Sequence, residues 1–169
     1  MGTAVAEGSP VSVPVLRKDG SPAASTLVDV DDLQMVGQHT WRLSSHGYAV
    51  RSAMEGGRKQ TIYLHREIGG TPAGLATDHV NGDRLDNRRS NLRTATPGQN
   101  NANGQDRPRR SGYRGVYWHR PSKKWVSQIS VKGRLRHLGL FDDPEEAAKA
   151  YDLAAREAWG PYARTNGLA

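Results

Sequence analysis

Short runs of alternating apolar and polar residues, separated by Gly, Pro, Asn and Asp, occupy the first third of the chain. A period of two predicts half-buried β-strands. A short helix is predicted over residues 33–37, because Asp31 and Asp32 at its start favour the N-terminal helix dipole. We expect a small strand-rich platform here, with strands over residues 11–16, 26–30, 41–43, 48–52 and 60–64.

The last third of the chain carries a second set of strands, followed by one helical segment. Strand patterns cover residues 112–119, 125–132 and 134–141. Asp143 then offers an N-cap and Pro144 occupies the first helical position. The pattern therefore predicts three strands and a helix over residues 144–159.

Alternation also assigns the two faces of the middle strand of this second set. One face should pack on the helix, whose inward residues are mostly alanine, and the other face is polar and should point outward among basic neighbours. The inner face consists of Trp125, Ser127, Ile129 and Val131, and the outer face consists of Val126, Gln128, Ser130 and Lys132.

The composition excludes several classes of protein. None of the 169 residues is cysteine, so the chain has neither disulfide bonds nor a zinc site built on Cys ligands. No apolar run approaches the roughly 20 residues of a membrane span, and the N-terminus lacks a signal-peptide core. We therefore expect a soluble protein with no membrane partner. The oligomeric state stays open, and a monomer is compatible with the sequence.

The net charge of +7 is concentrated in the middle of the chain. Residues 84–136 hold 14 basic and 2 acidic side chains, whereas residues 1–83 hold 7 basic and 9 acidic ones. A block of this kind is the electrostatic footprint of a polyanion binder. Short charge runs are more often solvated surface, but the length of this block favours nucleic acid as the partner.

Short polar side chains are concentrated over residues 78–101, which read DHVNGDRLDNRRSNLRTATPGQNN. A neutral imidazole is a general base near physiological pH, while carboxylate and amide oxygens are ligands for a hard divalent cation. Asp78, His79 and Asn100 supply a minimal set of these groups. Taken singly, each feature is more often a turn or a helix cap.

The spacing of these residues resembles the HNH endonuclease motif in its phage and intron homing form. Asn91 follows His79 by twelve residues, and Asn100 follows nine residues later. The resemblance implies a ββα-metal unit with strands over 77–80 and 92–95 and a helix that begins at Pro97. It implies that His79 is the general base and that Asn91 fixes the loop and orients the His79 ring. It also implies that Asp78 and Asn100 bind one Mg²⁺ or Mn²⁺ ion.

Two further groups of residues near the motif are candidates for contact with the phosphate backbone. Residues 63–66 resemble the segment just before the motif in these enzymes, and whether His65 and Arg66 take part in catalysis stays open. A structural or solvent-facing histidine is the simpler interpretation of His65. Arginines in the motif loop can straddle a phosphate backbone or remain surface charge; they are Arg84, Arg88, Arg89 and Arg93.

Residues 112–166 resemble the DNA-binding domain of plant ethylene-response factors, also called the Apetala family. The matching segments begin at Tyr113, Trp125, His137 and Ala150, and the match closes at Asn166. The resemblance implies a three-stranded sheet in the DNA major groove with a helix behind it. By position, the residues expected to face DNA are Arg114, Tyr117, His119, Gln128, Ser130 and His137.

For two arginines beside that pattern, the charge and the strand register predict different faces of the sheet. Strict alternation places Arg134 and Arg136 on the face that packs on the helix. Their charge favours contact with DNA, and we give that argument more weight than the register. They are therefore included among the expected DNA-binding residues.

These observations predict an α+β fold: a β-rich N-terminal platform with a ββα-metal nuclease unit, then a three-stranded antiparallel sheet packed on one helix. The predicted boundaries are a tail at 1–10, a nuclease domain at 11–103 and a linker at 104–111. The ββα-metal core covers about 76–103, and the DNA-binding domain covers 112–166.

The function that these resemblances imply is metal-dependent hydrolysis of double-stranded DNA by a homing endonuclease in the cytoplasm of a bacterial cell or phage-infected host. One alternative is a DNA-binding transcriptional regulator whose nuclease unit is inactive. Another is an RNA-directed enzyme, which would need stacking positions such as Tyr117 and Trp118 to accept unpaired bases.

Overall fold

Valine-containing strands near the N-terminus and an aromatic-rich sheet near the C-terminus belong to two separate units of the chain. A computed structural model describes residues 9–104 and 110–168. The N-terminal unit is Met1–Ala95 and the C-terminal unit is Thr96–Ala169. Most of the predicted tail and residues 105–109 of the predicted linker lie outside the described residues, and the predicted domain boundaries stay predictions.

Five short strands form the main sheet of the N-terminal unit, in the order β2-β1-β3-β4-β5. Neighbouring strands are antiparallel except β1 and β3, which are parallel. The strands are β1 (Val11–Leu16), β2 (Pro22–Val28), β3 (Arg42–Leu43), β4 (Ala49–Glu55) and β5 (Arg58–Tyr63). The predicted strand-rich platform is therefore present.

Two short helices close the core of this unit. The predicted helix α1 (Leu33–Gly37) is confirmed, and its Val36 carbonyl accepts a 2.9 Å hydrogen bond from the buried Trp41 indole. The sequence pattern predicted a strand through residue 64, but Leu64 begins a second helix, α2 (Leu64–Gly69). The i, i+4 pair of Leu64 and Ile68 turns one side of this helix into the core, which is a tertiary contact that a six-residue pattern does not reveal.

A hairpin of β6 (Ala76–His79) and β7 (Leu92–Ala95) holds the motif predicted to carry chemistry. The loop between these strands is fixed by β2. The Leu27 amide donates to the Leu85 carbonyl, and the Asn87 amide donates to the Leu27 carbonyl, both over 2.8 Å. The platform therefore extends its backbone pairing into the loop and sets the position of residues 85–87.

The C-terminal unit contains a three-stranded antiparallel sheet in the order β10-β9-β8, with a long helix packed on it. This arrangement and the α+β class confirm the predicted fold. A capping box formed by Thr96 and Gln99 begins the first helix of the unit. The elements are α3 (Pro97–Ala102), β8 (Val116–His119), β9 (Lys124–Val131), β10 (Arg134–Phe141) and α4 (Pro144–Trp159).

The predicted faces of β9 are confirmed, because Ser127 and Ile129 are buried on the side of α4 while Ser130 is exposed. The outer face, defined as the side of this sheet away from α4, is nevertheless not purely polar as predicted. Leu135 and Leu140 lie on it and are 67% and 45% exposed. A register shift between His137 and Gly139 brings Leu140 opposite Val126, which simple alternation along β10 does not anticipate.

The first strand of this sheet begins at Val116 rather than at residue 112 as predicted. Gly112 and Gly115 have φ angles of +75° and +74°, so the chain turns before it enters the strand. Gly115 is also buried, and a Cβ atom there would overlap the Tyr151 ring of α4. Only the absence of a side chain permits this approach.

Replacing Gly115 with alanine is expected to destabilise the protein more than the same change at Gly112. Both substitutions cost about 1–2 kcal/mol for a non-glycine residue in the left-handed region. At Gly115 the clash with Tyr151 adds about 1–3 kcal/mol or more, whereas Gly112 has no atom within 4 Å of the new Cβ. Urea unfolding of the two variants measures the difference, and equal losses would contradict the close contact.

Candidate active site

Asp78 and His79 are adjacent on β6 and are both buried, at 4% and 5% exposure. The Asp78 Oδ2 atom accepts hydrogen bonds from Arg93 Nε at 2.8 Å and forms an ion pair with Arg93 Nη2 at 2.7 Å. Arg93 lies directly opposite Asp78 in the hairpin, so the two side chains share one face. Arg93 was predicted to contact DNA. In the described structure its guanidinium balances the charge of the buried Asp78 carboxylate.

The His79 ring is held by a chain of buried polar groups. Its Nε2 atom lies 3.1 Å from Asn87 Oδ1, and Asn87 Nδ2 donates to Thr26 Oγ1 over 2.7 Å. The Thr26 hydroxyl donates in turn to the Leu85 carbonyl over 2.7 Å. Thr26 and Asn87 are 0% and 1% exposed. Neither residue was predicted from the sequence, because Thr26 lies in a distant strand and Asn87 is a typical turn residue of the loop.

Asn91 was predicted to fix the loop and to orient the His79 ring. Its Oδ1 atom accepts from the Asn81 amide over 3.0 Å, and its Nδ2 atom donates to the Asp86 carbonyl over 2.8 Å. These hydrogen bonds join the two ends of the loop. The amide that bonds to the His79 ring is that of Asn87, and the orienting role assigned to Asn91 stays a prediction.

The arginines of the loop are paired with acidic or carbonyl groups of the N-terminal unit. Arg88 makes two 2.7 Å hydrogen bonds to the buried Asp86, and this bonding holds the pKa of Asp86 below its usual value. Arg89 binds both carboxylate oxygens of Asp32, at 3.0 and 2.6 Å. Arg84 donates to a backbone carbonyl over 2.6 Å. Contact of Arg88, Arg89 and Arg93 with DNA therefore stays a prediction and would compete with these pairs.

Aromatic rings and a second histidine surround His79. The His65 ring centroid is 5.1 Å from that of His79, and the Tyr48 centroid lies 5.0 Å from His65 and 6.0 Å from His79. Burial lowers the pKa of His79. Burial, with smaller contributions from the neighbouring His79 and Arg66, lowers the pKa of His65 to about 3. Both rings are therefore neutral at physiological pH, which is the state in which an imidazole accepts a proton.

Arg66, the other residue singled out just before the motif, has a structural position. Its guanidinium donates to the Leu75 carbonyl over 3.0 Å and to the Pro72 carbonyl over 3.5 Å. These bonds hold the turn between α2 and β6. The geometry gives Arg66 a role in positioning the first strand of the hairpin.

The residues predicted to bind a metal fit a hard divalent cation by their chemistry. Mg²⁺ is typically bound through one or two carboxylates and keeps several water ligands, so one carboxylate and one amide oxygen suit it. Asp78 supplies the carboxylate, and Asn100 is half-buried on α3 in the C-terminal unit. Among the described residues, no group of three or more His, Cys, Asp or Glu side chains is arranged to hold a metal.

The outer face of the C-terminal sheet carries five of the eight side chains of this unit that were predicted to meet DNA. Tyr117 lies opposite Val126, and His137 lies opposite Gln128. Beside them is a groove of about 590 Å³ within this unit. Its lining includes Asn101, Arg114, Tyr117, Gln128, Ser130 and Lys132.

Contact of three arginines of this unit with DNA stays a prediction, and the structure gives the position of each. Arg134 lies opposite Val131 and Arg136 opposite Ile129, so both belong to the side of α4 although they are exposed. Giving charge more weight than register was therefore wrong about their face, because strand pairing fixes it. Arg114 precedes β8, and its guanidinium donates to the Tyr151 hydroxyl over 2.9 Å and to a backbone carbonyl over 2.7 Å.

Comparison with known proteins agrees with the hairpin geometry. A family model described as HNH endonuclease matches residues 62–102. An uncharacterized HNH endonuclease of Acanthamoeba polyphaga mimivirus is 30% identical over 147 residues, covering 83% of this chain and 74% of the viral protein. The chain belongs to the HNH endonuclease family. This HNH endonuclease has no match among solved structures.

A second family model, described as AP2 domain, matches residues 111–161 of this HNH endonuclease. An AP2-like ethylene-responsive transcription factor of Arabidopsis thaliana is 43% identical over 68 residues, which cover 34% of this chain and 12% of the plant protein. An ethylene-responsive transcription factor of the same plant is 47% identical over 66 residues, 37% of this chain and 25% of the plant protein. The chain thus combines an HNH endonuclease domain with an AP2 domain.

The lengths and hydropathy of the helices bear on the expectation that the chain has no membrane span. Over residues 9–104 and 110–168, no helix is both long enough and apolar enough to cross a membrane.

The buried His65 is expected to make stability depend on pH. Its folded-state pKa of about 3 lies below the ordinary value of 6.5. Between these two pH values the unfolded chain therefore binds a proton at His65 and the folded chain does not. The free energy of unfolding therefore falls as the pH falls from 6.5 toward 3, by about 1.4 kcal/mol per pH unit from this residue. Replacing His65 with Gln removes this contribution, and urea unfolding at several pH values measures it.

His46 provides the matched control, because it is an exposed histidine of the same unit. His46→Gln makes the same substitution at that exposed position, and its unfolding is measured beside that of His65→Gln. Parallel stability curves for wild type and His65→Gln would show that the His65 ring is not held neutral.

Proposed function

We propose that this HNH endonuclease hydrolyses phosphodiester bonds of double-stranded DNA, with His79 as the general base and with one Mg²⁺ or Mn²⁺ ion. The observation that carries the proposal is the buried, neutral His79, fixed through its Nε2 atom to Asn87 and adjacent to the Asp78 carboxylate. A base held neutral and in one orientation is the requirement for removing a proton from an attacking water.

Each of the side chains around His79 has a separate role in the proposed reaction. Burial among the rings of Tyr48 and His65 keeps the His79 imidazole unprotonated, and Asn87 keeps the ring from rotating. Asp78 and Asn100 are the proposed metal ligands. When bound, the cation supplies positive charge at the scissile phosphate and the leaving oxygen. Arg93 pairs with the Asp78 carboxylate and holds the side chain in place.

Targeting is proposed to come from the AP2 domain. The outer face of its sheet presents Tyr117, His119, Gln128, Ser130 and His137, and α4 packs behind the sheet. The plant proteins that match this region are named as transcription factors, which supports a role in DNA recognition. A site-directed nuclease of this construction fits a homing endonuclease.

The central test is cleavage of supercoiled plasmid by the full chain with Mg²⁺ and with a chelator. Replacing His79 with Ala is expected to reduce the cleavage rate roughly a hundred- to ten-thousand-fold, because general-base catalysis is lost. DNA affinity in a gel shift should stay close to that of the wild type. His46→Ala, a change of an exposed histidine in the same unit, should cleave at the wild-type rate.

The cleavage and binding results distinguish an active nuclease that uses His79 from the alternatives. Cleavage by His79→Ala at the rate of His46→Ala would contradict the assignment of the base. Tight DNA binding by the wild-type chain without cleavage in Mg²⁺ or Mn²⁺ would instead favour a transcriptional regulator with an inactive nuclease unit.

Gln128 is expected to contribute to sequence preference through the outer face of the sheet. A Gln amide bonds well to the edge of adenine, so Gln128→Ala should weaken binding to the preferred duplex by at least about tenfold. The duplex is first selected from a random pool with the full-length protein. Lys149→Ala on α4 removes a charge from the other side of the sheet and should leave the affinity unchanged. A larger loss for Lys149→Ala would contradict the assigned face.

A further inference from the structure

The polar chain that ends at His79 has a direction fixed by its first member. The Leu85 carbonyl can only accept a hydrogen bond, and it lies 2.7 Å from Thr26 Oγ1. Thr26 therefore donates its single hydroxyl hydrogen to the Leu85 carbonyl. The remaining contact of this hydroxyl, with the Asn87 side chain at 2.7 Å, must be one in which Thr26 accepts.

This direction determines the orientation of the Asn87 amide. Because Thr26 Oγ1 accepts there, the atom of Asn87 that faces it is Nδ2, and Oδ1 is turned toward His79. Asn87 is 1% exposed, and a reversed amide would turn its Oδ1 atom toward Thr26 Oγ1, whose single hydrogen is already donated to the Leu85 carbonyl, so two buried acceptor oxygens would face each other without a hydrogen between them. The reversed orientation is disfavoured by the cost of that buried, unsatisfied acceptor and by the repulsion between the two oxygens.

The orientation of Asn87 in turn determines which nitrogen of the neutral His79 ring carries the hydrogen. Asn87 Oδ1 is an acceptor, so His79 Nε2, 3.1 Å away, must carry the hydrogen. The lone pair of the neutral ring is then on Nδ1. We propose that Thr26 and Asn87 are positioning residues that hold His79 as the Nε2–H tautomer, which makes Nδ1 the nitrogen that takes the proton from water.

This inference rests on the proposed function of His79 and deepens it, because it names which nitrogen acts and what selects it. It also assigns a role to the N-terminal platform. Thr26 lies on β2, whose Leu27 exchanges two 2.8 Å backbone hydrogen bonds with Leu85 and Asn87. The platform therefore fixes both the backbone and the side chain that select the tautomer.

The wild-type protein alone provides the first measurement. Long-range ¹H–¹⁵N spectra of the full-length, ¹⁵N-labelled chain distinguish the two tautomers of each imidazole ring, and loss of signals in His79→Gln assigns the ring. A protonated Nε2 and an unprotonated Nδ1 are expected for His79. An Nδ1–H ring would overturn the proposal without reference to activity.

Variants of Thr26 test the selection itself. In Thr26→Val the acceptor for Asn87 Nδ2 is lost, so the amide can reverse and the His79 ring should show a mixed or Nδ1–H pattern. The kcat for cleavage should fall roughly ten- to a hundred-fold with little change in KM for DNA. Thr26→Ser keeps the hydroxyl and should restore both the spectrum and kcat.

Thr71→Val is the matched control for the loss of a threonine hydroxyl. Thr71 is half-buried and bonds to Thr77, away from the Thr26–Asn87 chain. Its spectrum and kcat should equal those of the wild type. If Thr26→Val does not fold, Asn87→Asp takes its place: the ionised carboxylate only accepts, so Nε2 should remain protonated, and an unprotonated Nε2 would overturn the proposal.

The outcomes for tautomer and activity are separable. A folded Thr26→Val that keeps both the Nε2–H ring and the wild-type kcat would overturn the positioning role. An Nε2–H ring that responds to Thr26→Val, in a chain that cleaves no DNA, would support the positioning role and reject the nuclease function.

Discussion

The hydrogen bonds that join β2 to His79 are the constraint on which the N-terminal unit depends. Thr26 and Asn87 are buried polar side chains, and each must find a partner or cost the unit its desolvation energy. Together they satisfy the Leu85 carbonyl, one another and the His79 ring. The strand-rich platform and the β6–β7 hairpin are therefore not independent, since the platform supplies Thr26 and the backbone hydrogen bonds that hold Leu85 and Asn87.

Electrostatic pairing is the second organising force in this unit. The basic stretch that begins at Arg84 looks, from composition, like a surface made for a polyanion. In the structure Arg88, Arg89 and Arg93 are matched with Asp86, Asp32 and Asp78. Ionised carboxylates that are buried need such partners, because an unpaired buried charge is costly. Much of the positive charge of the motif loop is thereby paired with carboxylates of the N-terminal unit.

The C-terminal unit is held together by a close backbone contact and by hydrogen bonds to one buried carboxylate. Gly115 lets the turn before β8 approach the Tyr151 ring, and Asp152, fully buried, accepts hydrogen bonds from Asn166 and Leu168. The same unit includes α3, although the HNH family model extends to residue 102. A Cβ atom on Gly98 of α3 would lie 3.4 Å from the Trp159 ring of α4. The helix that carries the proposed ligand Asn100 therefore packs within the same unit as the AP2 sheet.

The sequence by itself determined the strand-rich architecture, the faces of β9, the limits of α1 and the two family resemblances, because these depend on local periodicity and on spacing along the chain. It did not reveal α2, the register shift in β10 or the partners of the loop arginines. It also missed Thr26 and Asn87, which are 61 residues apart. Those features depend on which polar atoms are buried together, and only the tertiary structure decides that, since burial obliges each donor and acceptor to find a partner from a distant part of the chain.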